Sequence, residues 1–215
     1  MVSNKLQYLF ERSTGEKLDS VVELSAAGSN RKYFRLKGEK STLIGTCGES
    51  LDENKAFCEI SKHFSSKGLN VPRVLAFADD FSCYVQEDLS DVSLFECIEK
   101  GRKNGESSEE VKSLLRKTIK YLPRLQFEGA EGFDFSVCYP VREFDQRSIL
   151  WDLNYFKYNF LKTQSVDFRE DLLEDDFDFF SKKLLEFQTD TFLYRDFQSR
   201  NVMIKNGEPF FIDFQ

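Results

Sequence analysis

Near its C-terminal end the 215-residue chain carries Asn206-Gly207 between two short apolar runs, Val202-Met203-Ile204 and Phe210-Phe211-Ile212. Asn-Gly in that setting selects a two-residue turn, because both turn positions need a left-handed backbone that these residues adopt at little cost. The segment is therefore committed to a β-hairpin. Such a turn fixes the register: Lys205 faces Glu208, Met203 faces Phe210 and Asn201 faces Ile212. Asn201 and Asp213 then emerge together at the open end of the ribbon.

A carboxylate beside an amide oxygen suits a hard cation such as Mg²⁺, which takes one or two protein carboxylates and completes its shell with water and phosphate oxygens. Asp196, five residues before Asn201, lies in the loop that enters the same ribbon. It can face a substrate hydroxyl while Asn201 and Asp213 hold the metal. Phosphoryl transfer needs that division of labour: one carboxylate to accept or orient a hydroxyl proton, and an Asn/Asp pair to clamp metal-bound phosphates.

Composition narrows the remaining classes. The net charge of −7 argues against a general nucleic-acid binder, which needs a basic footprint. With 23 Phe residues and 40% hydrophobic content, the chain can build a real core. No apolar run approaches the ~18 residues of a membrane span, and the start, Met1 to Lys5, has no secretory pattern; a cytoplasmic location without membrane contact is expected. The lone histidine, His63, rules out a His-rich metal site and reads as a partly exposed helix residue. The five cysteines are widely spaced and lack a C-x-x-C, so they are expected to be reduced and mostly buried.

Periodicity divides the chain into a β-rich and a helical part. Leu6, Leu9 and Phe10 mark a short leading helix behind Ser3, closed by Gly15. Strand-like runs follow at 21–24, 33–36 and 42–45, then a helix over 53–66 capped by Asp52, then a hairpin of 74–78 and 81–87 around Asp79-Asp80. That helix, with Phe57, Ile60 and Phe64 on one face, should pack on the sheet. Beyond Asp88-Leu89 helical patterns cover 93–100, 108–126, 148–161 and 168–187, with loops at 103–108 and 129–146. The fold class is α+β.

Tyr194-Arg195-Asp196 through Asn201, with Ile212-Asp213-Phe214, resembles the aminoglycoside phosphotransferase and choline kinase-like branch of the protein-kinase fold. The resemblance implies a bilobal architecture: an N-lobe over 1–87, a hinge over 88–91 and a C-lobe over 92–215. It further implies ATP and Mg²⁺, with Asp196 catalytic and Asn201 and Asp213 on the metal. Family members usually have His where Tyr194 stands, at a position that orients the loop.

Within the resemblance, Ser25 to Arg35 occupies the place of the phosphate-covering loop. Gly28, Ser29 and Asn30 would let backbone N–H groups approach a triphosphate, and Arg31 and Lys32 would neutralise it. The third strand, Thr42 to Thr46, lacks the lysine of protein kinases, so one of these two basic residues would take its role and Glu53 would orient it toward phosphate. Gln86, Glu87, Asp88 and Leu89 resemble the interlobe linker, where adenine bonds to backbone groups.

These features look closest to bacterial kinases that phosphorylate the anomeric hydroxyl of N-acetylmuramate or N-acetylglucosamine, and imply a sugar or amino-sugar acceptor. The alternatives are an antibiotic-modifying or choline-type kinase, and a nucleotide-sensing domain without efficient transfer. Family members continue with further helices past the point matching Asp213, so the resemblance implies an incomplete C-lobe, a missing C-terminal portion and poor turnover by residues 1–215 alone.

Overall fold

The computed structural model of the chain describes residues 2–24, 30–103, 106–164, 166–187 and 190–214. A leading helix α1 (Val2–Thr14) precedes strands β1 (Ser20–Leu24), β2 (Lys32–Lys37) and β3 (Thr42–Cys47). Helix α2 (Leu51–Ser66) and strands β4 (Val74–Phe77) and β5 (Cys83–Glu87) complete a five-stranded antiparallel sheet in the order β1-β2-β3-β5-β4.

Each sheet face is covered by one helix, as strand alternation requires. On one side Leu6, Leu9 and Phe10 of α1 pack on Leu36, Leu43, Cys47, Cys83 and Val85. Gly45 permits this close approach, since a Cβ there would lie 2.9 Å from the Leu6 side chain. On the other side Phe57 of α2 stacks on Tyr84 with ring centres 5.1 Å apart.

The second face also anchors the rest of the chain. Phe57 stacks in turn on Phe214, again at 5.1 Å, and Phe64 meets Phe192 edge-on at 4.8 Å. One hydrophobic core therefore runs from Phe57, Phe64 and Tyr84 through Leu94, Leu114 and Leu125 to Phe192, Phe211 and Phe214. Burying a side chain of this size contributes about 1.5–3 kcal/mol, so this stack is a principal link between the sheet and the site-bearing hairpin.

The helical part comprises α3 (Leu94–Gly101), α4 (Glu109–Pro123), α5 (Gln146–Asn159) and α6 (Glu170–Leu185). Ser93 caps α3 through a reciprocal capping box with Glu96, and Ser108 and Asp145 cap α4 and α5. A short ribbon of β6 (Arg102–Lys103) and β7 (Glu106–Ser107) joins α3 to α4 where a plain loop is expected from sequence. No helix among the described residues is long and apolar enough to cross a membrane.

The C-terminal hairpin has the register set by its turn. In β8 (Val202–Lys205) and β9 (Glu208–Phe211), Lys205 opposes Glu208 and Met203 opposes Phe210. The Ile212 N–H donates to the Asn201 carbonyl at 3.0 Å, which carries the ladder one pair further. Asn206 and Gly207 have φ of 55° and 75°, the left-handed pair a tight hairpin turn demands.

Two expectations need correction. Helix α2 begins two residues earlier than Asp52 suggests, because the Ser50 hydroxyl accepts from the Glu53 N–H while Asp52 sits in the first turn. The cysteines are not all reduced: Cys47 and Cys83 form a disulfide, since the β3–β5 register sets them directly opposite with Cα atoms 4.2 Å apart. Cys58, Cys97 and Cys138 are free thiols. His63 is part of the packing, its Nε2 lying 2.9 Å from the Gly129 carbonyl oxygen and its ring beside Phe133.

Candidate active site

The loop from Phe192 to Asn201 is held by alternate buried aromatics. Phe192 and Tyr194 are both sunk in the core, which leaves Arg195 and Asp196 at the surface. The Phe192 N–H donates to the Gln126 carbonyl at 2.9 Å, tying the loop entrance to the wider helical turn Arg124–Glu128 that follows α4. Two polar contacts then close the loop onto the hairpin: the Tyr194 hydroxyl lies between the carbonyls of Asn201 (3.1 Å) and Ile212, and the Asn201 side-chain amide donates to the Asp196 carbonyl at 3.0 Å.

Sequence spacing thus brings Asp196, Asn201 and Asp213 into one unit. Asp196 and Asp213 are exposed, whereas Asn201 is buried. Asn201 uses its amide N–H on Asp196, which leaves its Oδ1 as an acceptor. Asp213 has a φ of 58°, a left-handed conformation that an Asp tolerates better than most residues. Burial, reinforced by the nearby carboxylates of Asp213 and Asp196, pushes the Tyr194 hydroxyl well above its ordinary value, so it stays a proton donor to the two carbonyls.

The fit to a divalent cation follows from this donor set. Among the described residues no group of three or more His, Cys, Asp and Glu side chains is placed to hold a metal by itself. One or two carboxylates with an amide oxygen suit Mg²⁺, whose remaining positions go to water and phosphate. The residues present therefore fit a metal shared with a phosphorylated ligand.

On the sheet side, Gly28 and Ser29 lie outside the described residues. Asn30 is exposed and Lys32, the first residue of β2, points outward. Arg31 is buried: its Nη2 donates to the Glu53 carbonyl at 3.0 Å and lies 3.3 Å from the Glu53 carboxylate, with the guanidinium 5.6 Å from the Phe57 ring centre. Of the two basic residues that the sequence leaves open, Arg31 is thus the one paired with the helix glutamate, Glu53.

The expected linker is tied to both its neighbours. Arg35 of β2 chelates Asp88 (2.7 and 3.1 Å) and Asp91 (2.9 and 2.8 Å). Lys205 of β8 donates to the Asp88 carbonyl at 3.2 Å, and Arg73 grips Glu87 at 2.7 Å. Gln86 and Leu89 are buried. Arg35 and Lys205 are site-organising residues that local sequence reasoning misses, because Arg35 and Asp88 are 53 positions apart and only strand register brings them together. Asp152 on α5, which pairs with Arg195 next to Asp196, is a third.

A model of the phosphotransferase enzyme family (APH) matches residues 20–215. The chain belongs to this family. An N-acetylmuramate/N-acetylglucosamine kinase of Neisseria meningitidis serogroup B is 26% identical over 191 residues, which cover 86% of this chain and 53% of that protein. The chain thus spans about half the length of this curated relative. Among solved structures, a ternary complex of an aminoglycoside phosphotransferase APH(4)-Ia mutant with ADP and hygromycin B superposes with a TM-score of 0.60 at 15% identity, covering 98% of this chain and 70% of the other. An ethanolamine kinase of Plasmodium vivax gives 0.56 at 16% identity, covering 91% and 56%. At these identities the structural likeness concerns the fold, which is the mixed, antiparallel-sheet α+β fold of this phosphotransferase family.

Proposed function

We propose that this chain holds the nucleotide site and the phosphoryl-transfer residues of an ATP-dependent small-molecule kinase whose acceptor is a hydroxyl of a sugar or amino sugar. The observation that carries the reading is the linkage of Asp196, Asn201 and the Asp213 strand end by the Tyr194 hydroxyl and the Asn201 amide. Family membership supports the reaction type, and the N-acetylmuramate/N-acetylglucosamine kinase relative supports the acceptor class.

In this account Asp196 accepts the proton of the acceptor hydroxyl as its oxygen forms the new bond to the γ-phosphorus and the bond to ADP breaks. Asn201 Oδ1 and Asp213 hold Mg²⁺, which when bound neutralises charge on the phosphates. Arg31, oriented by Glu53, faces the phosphates from the sheet side, with Gly28, Ser29, Asn30 and Lys32 beside it, and the segment from Gln86 to Leu89 receives the adenine. No large movement is asked of Asn201, whose position is set from both sides by Asp196 and Ile212.

A product assay with free N-acetylhexosamines, aminocyclitol antibiotics and choline as competing acceptors tests the substrate class. A phosphorylated N-acetylhexosamine is the expected product. Phosphorylation of the aminocyclitol or choline instead would move the assignment to an antibiotic-modifying or choline-type kinase, and nucleotide binding without any product would move it to a nucleotide-sensing domain.

A further inference from the structure

Asn54, in the first turns of α2, is fully buried and directs both N–H groups of its side-chain amide to main chain outside its own helix. Nδ2 donates to the Gly48 carbonyl at 3.1 Å and to the Phe81 carbonyl at 2.8 Å. Its Oδ1 has no hydrogen-bond partner. Buried polar atoms are nearly always paired, so a half-satisfied amide is a cost that an apolar side chain of the same shape would not carry. What sets Asn54 apart from a leucine here is the pair of donated bonds.

Those bonds join α2 to the ends of two strands. Gly48 follows β3 and Phe81 lies just ahead of β5. The strand ends are already fastened to each other by the Cys47–Cys83 disulfide and by the Gly48 N–H, which donates to the Ser82 carbonyl at 3.1 Å. Pairing of β3 with β5 therefore does not depend on Asn54. What Asn54 adds is a fixed distance between Gly48 and the first turn of α2.

Arg31 fills that distance. The β2–β3 register, which sets Lys32 opposite Cys47, brings Arg31 alongside Gly48. A Cβ on Gly48 would lie 3.1 Å from the Arg31 Cγ and 2.9 Å from the Asn54 Oδ1, so the stem of Arg31 and the amide of Asn54 close on the same glycine. At its other end Arg31 is held by Glu53, whose carbonyl accepts from Nη2 at 3.0 Å and whose carboxylate lies 3.3 Å away. Asn54 thus fixes the spacing between the two supports of a buried arginine, Gly48 under its stem and Glu53 at its head.

We propose that Asn54 is a positioning residue, which through the Gly48 carbonyl holds Arg31 where it meets the phosphates of the nucleotide. The inference rests on the reading that Arg31 faces those phosphates; Asn54 itself touches no ligand. A long side chain has rotamer freedom to lose, and a guanidinium fixed in advance binds phosphate more tightly than one ordered at the moment of binding. Loosening the clamp therefore weakens the hold on the phosphates and leaves the hold on the rest of the nucleotide.

The test measures the affinities of the 215-residue chain for a non-hydrolysable ATP analogue and for AMP, in excess Mg²⁺, by displacement of a fluorescent ATP analogue, and takes their ratio. Asn54→Leu keeps the shape of the side chain and removes both donors. Gly48→Ala keeps Asn54 and puts a methyl group between it and Arg31, and Arg31→Met removes the guanidinium. Arg31→Met should lower the ratio at least about tenfold, the loss of one charge-assisted bond to phosphate. Asn54→Leu and Gly48→Ala should each lower it at least about threefold, and neither should lower it further once Arg31→Met is present, the mark of residues that act through one partner. A role of Asn54 in folding alone would lower the melting temperature and both affinities together without moving the ratio, and that result overturns the proposal. So does a fall in the ratio that persists in the Arg31→Met background. If Arg31→Met leaves the ratio unchanged, or the wild type binds no nucleotide, the reading of Arg31 fails and the proposal fails with it. Gly48→Ala decides the matter by the same ratio if Asn54→Leu does not fold.

Discussion

The hydroxyl of Tyr194 reaches the main-chain carbonyl of Asn201 at 3.1 Å and also contacts that of Ile212, so one buried phenol ties the Asp196 loop to the strand that ends in Asp213. The rest of the ring is packed against Phe197 and Phe211, edge-on in both cases. The contact is main-chain at its far end, and so depends on the position of the backbone and not on the identity of residues 201 and 212.

Removing that hydroxyl should therefore loosen the site without emptying the core. Tyr194→Phe takes the hydroxyl donor from the Ile212 carbonyl and leaves the Asn201 carbonyl with the Ile212 N–H, a loss of about 1–3 kcal/mol. Denaturant melts should show that decrease, and phosphoryl transfer should fall more than nucleotide affinity does. Unchanged stability together with unchanged turnover would mean that the hydroxyl does not position the loop.

Asp196 is exposed, and its side chain is not needed for packing. Asp196→Ala should leave the melting temperature close to wild type and preserve nucleotide binding, while transfer drops by roughly 10²–10⁴-fold, the usual contribution of a positioned proton acceptor. Steady-state kinetics beside a binding titration checks both halves. Near-normal kcat in the variant would remove Asp196 from the reaction.

The core contains groups that resist losing a proton. Burial pushes the Cys58 thiol from 9.0 up to about 12, and burial likewise raises the hydroxyls of Tyr84 and Tyr194. These groups stay protonated in the folded chain at pH values where the unfolded chain has released them, so the folded state binds more protons and stability falls as pH rises. For Cys58 the contribution is intact below about pH 9 and is lost on the way to pH 12. Urea midpoints measured at pH 8, 9.5 and 10.5 should decline in that order, and Cys58 should resist alkylation at pH 8 in the native protein. A flat profile with rapid labelling of Cys58 would contradict its burial.

What sequence revealed was local. Asn206-Gly207 dictates its own turn, the turn dictates the register, and the register delivers Asn201 beside Ile212, so the geometry at the open end of the hairpin was legible from a dozen residues. The capping boundary of α2 was legible only approximately, because Ser50 and Asp52 are both competent caps and it is the Ser50 hydroxyl that takes the Glu53 N–H. The remainder depends on pairings between distant strands. Nothing near Cys47 announces Cys83, and nothing near Gln86 announces that its oxygen is left without a partner, since both facts arise when β3 and β5 meet in one particular register.

The central claim is that Asp213 and Asn201 hold a metal-bound nucleotide, and a thermal melt of the 215-residue chain with and without Mg-ATP, beside Asp213→Asn, tests it most directly. A ligand at about a hundred times its Kd stabilises the native state by ~2.7 kcal/mol. The account predicts a Mg²⁺-dependent rise in the melting temperature of the wild type that Asp213→Asn loses, each protein being compared with its own ligand-free melt. An equal rise in both, or no rise in a cooperatively folded wild type, would contradict it.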